Sequence, residues 1–167
     1  MEDNETDNRW AYIGIPYHLK CYLKKLEKTD NLIELSEDLK PSRYSMGQRG
    51  EIHVSRTKCI KCKKKGLWFP KQSKLPLCDL VCKNCNHKYE VKTVPKNKNS
   101  FIIHENCLRF IMYLKKNRKS RYWKYVPTLV VWKPGCKLSY YTPQQFVKLV
   151  GNYKGSINIK NEIQCFL

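Results

Sequence analysis

Residues 59–93 read CIKCKKKGLWFPKQSKLPLCDLVCKNCNHKYEVKT, and the spacing of cysteines within this stretch decides the fold. Two Cys-x-x-Cys pairs, Cys59/Cys62 and Cys82/Cys85, stand nineteen residues apart. That interval is the mark of a four-cysteine zinc ribbon, in which each pair makes a tight knuckle and tetrahedral zinc takes four thiolates at about 2.3 Å. Zinc held in this way is structural, because four thiolates close its coordination sphere and leave no place for water.

The second knuckle is expected to form the tip of a β-hairpin. Its arms are residues 77–81 (LCDLV) and 87–93 (HKYEVKT), where β-branched and aromatic residues suit strands. Counting outward from the tip places Asp79 opposite or diagonal to Glu90, with Cβ atoms about 5–8 Å apart. Side chains alternate along a strand, so Lys92 shares the face of Glu90. Two carboxylates and a lysine thus converge on one patch. A hard cation such as magnesium takes carboxylate oxygens and waters and still accepts a phosphate oxygen, which suits phosphodiester hydrolysis. The lysine would orient the attacking water or neutralise charge developing on phosphorus.

Pro76, Asp79 and Glu90-Val91-Lys92 resemble the motif of the PD-(D/E)xK nucleases. The order Asp79, Cys82-x-x-Cys85, Glu90-x-Lys92, with a further Cys-x-x-Cys upstream, is similar to the zinc-containing catalytic domain of DpnI-type restriction endonucleases. The close resemblance covers residues 59–93 and a looser one, in element order, runs to about residue 150. It implies an α/β fold: a restriction-endonuclease-like mixed sheet flanked by helices, with the zinc ribbon inserted in the catalytic hairpin. It also implies catalytic roles for Asp79, Glu90 and Lys92. Catalytic Mg2+ would be held by Asp79, Glu90 and the backbone carbonyl of Val91, and structural Zn2+ by Cys59, Cys62, Cys82 and Cys85. The substrate would be double-stranded DNA, cut by a homodimer or in two successive nicks. An acidic residue on a preceding helix often lies near the metal in this family, which makes Glu51 a candidate auxiliary, although an ordinary helix-surface glutamate is the plainer reading.

Composition agrees with a polyanionic partner. Of 167 residues, 33 are Lys or Arg and 14 are Asp or Glu, a formal net charge of +19. The charge is uneven: residues 1–38 hold nine acids and five bases, and the remainder holds twenty-eight bases and five acids. A field of that sign concentrates nucleic acid and makes binding steeply salt-dependent. Two of the five downstream acids are Asp79 and Glu90. Carboxylates in a cationic surface repel phosphate unless a metal intervenes, which favours catalysis over passive binding. The Cys-x-x-Cys pairs and the odd total of nine cysteines point to an intracellular, reducing compartment. No run approaches the apolar length of a membrane span.

Residues 1–9 are expected to be a flexible acidic terminus and residues 10–167 a single nuclease domain with the ribbon at 59–85. An amphipathic helix is expected over residues 10–28, a second over 31–39, and one over 42–58 leading into the ribbon. Leu67, Trp68 and Phe69 make a short strand ended by Pro70. Lys63, Lys64 and Lys65 beyond the first knuckle, and Lys96 and Lys98 in the loop after Thr93, are candidate DNA-backbone contacts. A helix is expected over 101–116 with Asn99 or Ser100 as N-cap, then strands at 128–132 and 138–141, and a helix from Pro143 to Val150. Ile157 and Ile159 suggest an edge strand. Cys21, Cys78, Cys107, Cys136 and Cys165 have no partner spacing and are read as buried thiols.

Three functions fit. The first is a magnesium-dependent, restriction-like DNA endonuclease. The second is a structure-specific, junction-resolving nuclease of the same superfamily, and the third a non-enzymatic zinc-ribbon protein that binds DNA or RNA.

Overall fold

The structure is a computed structural model that describes residues 24–25, 27–34, 45–71, 78–153 and 155–158. The acidic terminus at 1–9, most of the helix expected over 10–28, residues 35–39 of that expected over 31–39, Pro76 and Leu77 of the hairpin, and Cys21, Ile159 and Cys165 lie outside them. The start of the second helix is a strand instead: Leu32 and Ile33 pair with Pro70 and Phe69, a long-range partner that helical spacing does not reveal.

A six-stranded mixed sheet carries the fold. Its strands are β1 (Leu32–Ile33), β2 (Leu67–Pro70), β3 (Leu80–Cys82), β4 (Lys88–Thr93), β6 (Thr128–Trp132) and β7 (Ser139–Tyr141), side by side in that order. Every neighbouring pair is antiparallel except β4 and β6, which run parallel. A parallel pair requires a crossover, and here it passes through β5 (Ser100–Phe101) and the helix α2 (Glu105–Lys116). The other described helices are α1 (Met46–Ser55), before β2, and α3 (Pro143–Gly151), after β7.

Alternation along the strands divides the core in two. Val81, Leu129 and Val131 pack with Phe110, Ile111 and Leu114 of α2 and Phe146, Val147 and Val150 of α3. Leu80, Tyr89, Val91 and Val130 pack with Val54 of α1 and with Cys59 and Cys82. Helices thus cover one face of the sheet, while α1 and the cysteine ribbon cover the other. The central strand β4 is consequently buried over residues 88–91.

Local signals account for two of the helix starts. Ser45 and Gln48 form a reciprocal capping box at α1, and Thr142 and Gln145 form another at α3, where Pro143 occupies the first turn. The start of α2 differs from the sequence expectation. Ser100 and Phe101 pair with Ile157 and Asn158 of β8 (Ile157–Asn158) in a separate two-stranded sheet, and the helix begins at Glu105. Asn99 therefore caps nothing, and its Oδ1 instead accepts a hydrogen bond from Lys133 Nζ at 2.8 Å.

Candidate active site and metal centre

The two knuckles are built alike. In each, the residue after the second cysteine adopts the left-handed conformation, Lys63 at φ 64° and Asn86 at φ 62°. Each then donates its backbone N–H to the carbonyl of the first cysteine, Lys63 to Cys59 at 2.9 Å and Asn86 to Cys82 at 2.8 Å. The knuckles also clasp each other: Lys83 N–H donates to the Gly66 carbonyl at 2.8 Å and Asn84 Nδ2 to the Lys65 carbonyl at 2.8 Å. Gly66 stands at φ 135°, and a Cβ there would strike the Lys83 and Asn84 side chains.

The clasp gathers four thiols. Cys59 and Cys85 Sγ atoms lie 3.6 Å apart, as do those of Cys62 and Cys82, and all four ligating atoms fall within 4.8 Å of one another. Tetrahedral zinc with thiolates at about 2.3 Å needs S–S separations of roughly 3.8 Å, so the four thiols are arranged to hold a metal such as zinc. Tyr89 of β4 reaches into this centre, its hydroxyl 3.0 Å from Cys59 Sγ and accepting the Ile60 N–H at 3.1 Å. Burial opposes ionisation of Cys59, but the Tyr89 hydroxyl and the Cys62 and Lys61 backbone N–H groups bring its thiol down to about 7. Burial and the neighbouring thiols push Cys85 up to about 12. A bound cation would release the remaining protons. His87, two residues past Cys85, is engaged elsewhere, with Nε2 2.6 Å from Thr128 Oγ1.

On the next turn of the same hairpin the acids meet. Leu80 pairs with Tyr89 and Val81 with Lys88, a register that puts Asp79 opposite Glu90. Asp79 is fastened there twice: its N–H donates to the Tyr89 carbonyl at 2.9 Å, and its Oδ2 accepts the Val91 N–H at 2.8 Å. Glu90 is buried, and Lys92 Nζ stands 3.6 Å from its Oε1. The other oxygen, Glu90 Oε2, is buried with no hydrogen-bond partner.

Glu51 joins this cluster from α1. Burial, then the Asp79 charge, raise its carboxyl to about 7, against the pull of Lys92. Burial likewise raises Asp79, countered by the Val91 N–H and Lys92, and burial and Asp79 together raise Glu90 well above the usual carboxylate range. Glu51 is half-buried, on a helix that lies close against β4: a Cβ on Gly50 would collide with Thr93 Oγ1. No local sequence pattern reveals that approach. Among the described residues, the four cysteines are the one group of three or more ligating side chains placed to hold a single metal ion.

The remaining candidate residues surround these two centres. Lys63, Lys64 and Lys65 are exposed on the ribbon, and Lys96 and Lys98 are exposed in the loop after β4. That loop is held by Lys133 Nζ, which donates to the Lys98 carbonyl at 2.8 Å. Trp68 packs at the core edge with Lys83 Nζ 4.6 Å above its ring. Cys78 and Cys107 are buried free thiols, as expected, whereas Cys136 is disulfide-bonded.

Neither a known protein family, nor a characterised protein, nor a solved structure matches this chain at a significant level.

Proposed function

We propose that the chain is a magnesium-dependent DNA endonuclease of the PD-(D/E)xK type, restriction-like, with a structural zinc ribbon. The observation that carries this reading is Glu90: a buried carboxylate facing Asp79, joined by Glu51, with one oxygen lacking any partner and a single lysine against three acids. Burying uncompensated carboxylates is costly, and the cost is relieved by a cation. The donor set is all oxygen, the preference of magnesium. The mixed sheet with helices on both faces suits the same reading.

Asp79 and Glu90 would hold the metal, with the Val91 carbonyl and Glu51 alongside. Magnesium, when bound, supplies an acidified water and stabilises charge on the phosphate. Lys92 has its amine beside Glu90 and partly open to solvent, placed to orient that water or meet the phosphate. The exposed Lys96 and Lys98 would position the duplex backbone beyond the end of β4, and Lys63, Lys64 and Lys65 would do so from the ribbon. The thiol centre holds the hairpin that keeps Asp79 opposite Glu90.

Because DpnI-like enzymes read an adenine-methylated site, the test is cleavage of supercoiled plasmid, prepared with and without adenine methylation, by wild-type and Glu90→Ala protein in magnesium. Scission by the wild type, reduced at least about 100-fold in the variant, is expected, and the plasmid pair reads methyl dependence. If folded, zinc-loaded protein binds tightly without magnesium and never cuts plasmid or branched DNA, the reading fails. The non-enzymatic DNA- or RNA-binding ribbon then stands, favoured by the cysteines being the one group among the described residues placed to hold a metal ion. Cutting confined to branched DNA would indicate the junction-resolving form.

A further inference from the structure

A cleft of about 570 Å³ opens at the far end of α2, lined by Lys115, Arg118, Trp123, Gln144, Val147 and Lys148. Three segments build it. Lys115 lies in the last turn of α2 and Arg118 in the turn that follows; Trp123 lies on the short 3-10 helix Arg121–Tyr125. Gln144, Val147 and Lys148 project from one face of α3, at the i, i+3 and i+4 positions that line up on a helix.

The lining has an aromatic wall and a cationic rim. Trp123 is partly buried against the core, and its Nε1 donates to the Asn117 carbonyl at 3.2 Å, which fixes the plane of the indole. Lys115, Arg118 and Lys148 are exposed, and among the described residues no acid lines the cleft. Val147 extends the apolar surface, and Gln144 offers an amide. A fixed indole beside three cations matches the two halves of a nucleotide: a base with a π-face and an anionic phosphate. The volume falls within the usual range for a small-ligand site.

The cleft is separate from the carboxylate cluster. Cys107, in the first turn of α2, lies near enough to Glu90, Lys92 and Asp79 for their charges to act on its thiol. Lys115 lies eight residues further on, roughly 12 Å along the axis at about 1.5 Å per residue. Lys116 and Lys119, next in sequence to the lining residues Lys115 and Arg118, are further exposed cations, and a polyanion, unlike a free mononucleotide, draws on charge beyond a single phosphate site.

We infer that this cleft seats one unpaired nucleotide of a DNA single strand, with its base on Trp123 and its phosphate among Lys115, Arg118 and Lys148. The site is independent of whether the carboxylates cleave DNA.

The test uses Glu90→Gln protein without added magnesium, so that no cutting intervenes, and measures fluorescence anisotropy with two labelled probes. One is a short oligothymidylate, and the other is the same phosphodiester chain lacking bases. Oligothymidylate is expected to bind at least about tenfold more tightly, the scale of one base stacked on an indole. Trp123→Leu should abolish that preference. Arg118→Ala with Lys148→Ala should weaken both probes and flatten the salt dependence, while Lys63→Ala with Lys64→Ala should leave the base preference intact. Equal binding of the two probes by the Trp123 protein overturns the inference, as does a base preference that survives Trp123→Leu. If Trp123→Leu fails to fold, the exposed Lys148→Glu decides: oligothymidylate binding undiminished by charge reversal also overturns it. Thymidine monophosphate competing as well as the oligonucleotide would overturn the assignment to a strand. Plasmid cleavage by wild-type protein is read separately, so failure of either idea leaves the other standing.

Discussion

The Tyr89 hydroxyl lies 3.0 Å from Cys59 Sγ while the Tyr89 carbonyl accepts the Asp79 N–H at 2.9 Å, so one residue touches both the thiol centre and the backbone of the acidic cluster. A hydroxyl that touches a metal-ligating sulfur orients that ligand, and its hydrogen bond favours the thiolate. Tyr89→Phe keeps the buried ring and removes only the oxygen, leaving the Ile60 N–H without its acceptor. Zinc affinity, measured by chelator competition, should fall about 10–100-fold. An unchanged affinity would mean that the hydroxyl serves packing alone.

Removing the metal should reach further than the ribbon. Cys82 ends β3 and is fully buried, and the turn it starts leads directly into β4. Without a cation, four crowded thiols replace a cross-link, and the β3–β4 register loses its anchor. Cys82→Ser should lose bound zinc, lower stability on the order of several kcal/mol, and abolish the magnesium-dependent cleavage proposed for Asp79 and Glu90. Full cleavage by zinc-free protein would show that the hairpin holds its register unaided.

The Glu51 carboxyl makes stability depend on pH in a definite direction. Its folded value is raised to about 7 from an ordinary 4.5. Between those values the folded chain holds the proton more tightly than the unfolded chain, so stability falls as pH rises through the window and stays low above it. Glu51→Gln removes this dependence. Without magnesium, the variant should match wild type near the acid end and exceed it at pH 8. The gain should be on the order of 1 kcal/mol, or about 2–4 °C in Tm, after discounting for the solvent that reaches this partly buried group. Taking the difference between the proteins cancels the thiol titrations they share. Parallel melting profiles would remove Glu51 from the cluster.

The residues that were legible in sequence are those whose positions follow from local counting. The Cys-x-x-Cys spacing fixes a turn at residues 82–85, and counting outward along two short arms places Asp79 opposite Glu90 and Lys92 on the same face. Glu51 was ambiguous because helical periodicity says which residues share a face but not what the face meets. Its place is set by the close approach of α1 to β4, a tertiary fact. The start of α2 departs from the sequence expectation for a related reason. Ser100 and Phe101 satisfy their backbone by pairing with Ile157 and Asn158, more than fifty residues away, and no nearby residue announces it. The cleft at Trp123 combines three segments that only the packing of α3 against the end of α2 brings together, which no local pattern announces.

Gly50 offers the sharpest check on how α1 brings Glu51 to the acids. A Cβ at this position would run into Thr93 Oγ1 and crowd Trp132, whose Cε3 would lie 3.3 Å away. Alanine raises helix propensity by about 1 kcal/mol over glycine, but overpacking a close contact costs about 1–3 kcal/mol. Thr93 is β-branched and has few rotamers available for escape. Gly50→Ala should therefore be neutral to destabilising by up to about 2 kcal/mol, and by displacing α1 it should carry Glu51 away from Asp79. Thr93 Oγ1 is itself buried without a partner, so Thr93→Ala forfeits no hydrogen bond. In the double variant the collision is gone while the propensity gain remains, and stability should recover to at least that of Thr93→Ala alone. Chemical denaturation of the four proteins measures the coupling between the two positions. Additive effects would mean that α1 does not rest on Thr93, and the account of how Glu51 reaches the cluster would fall with it.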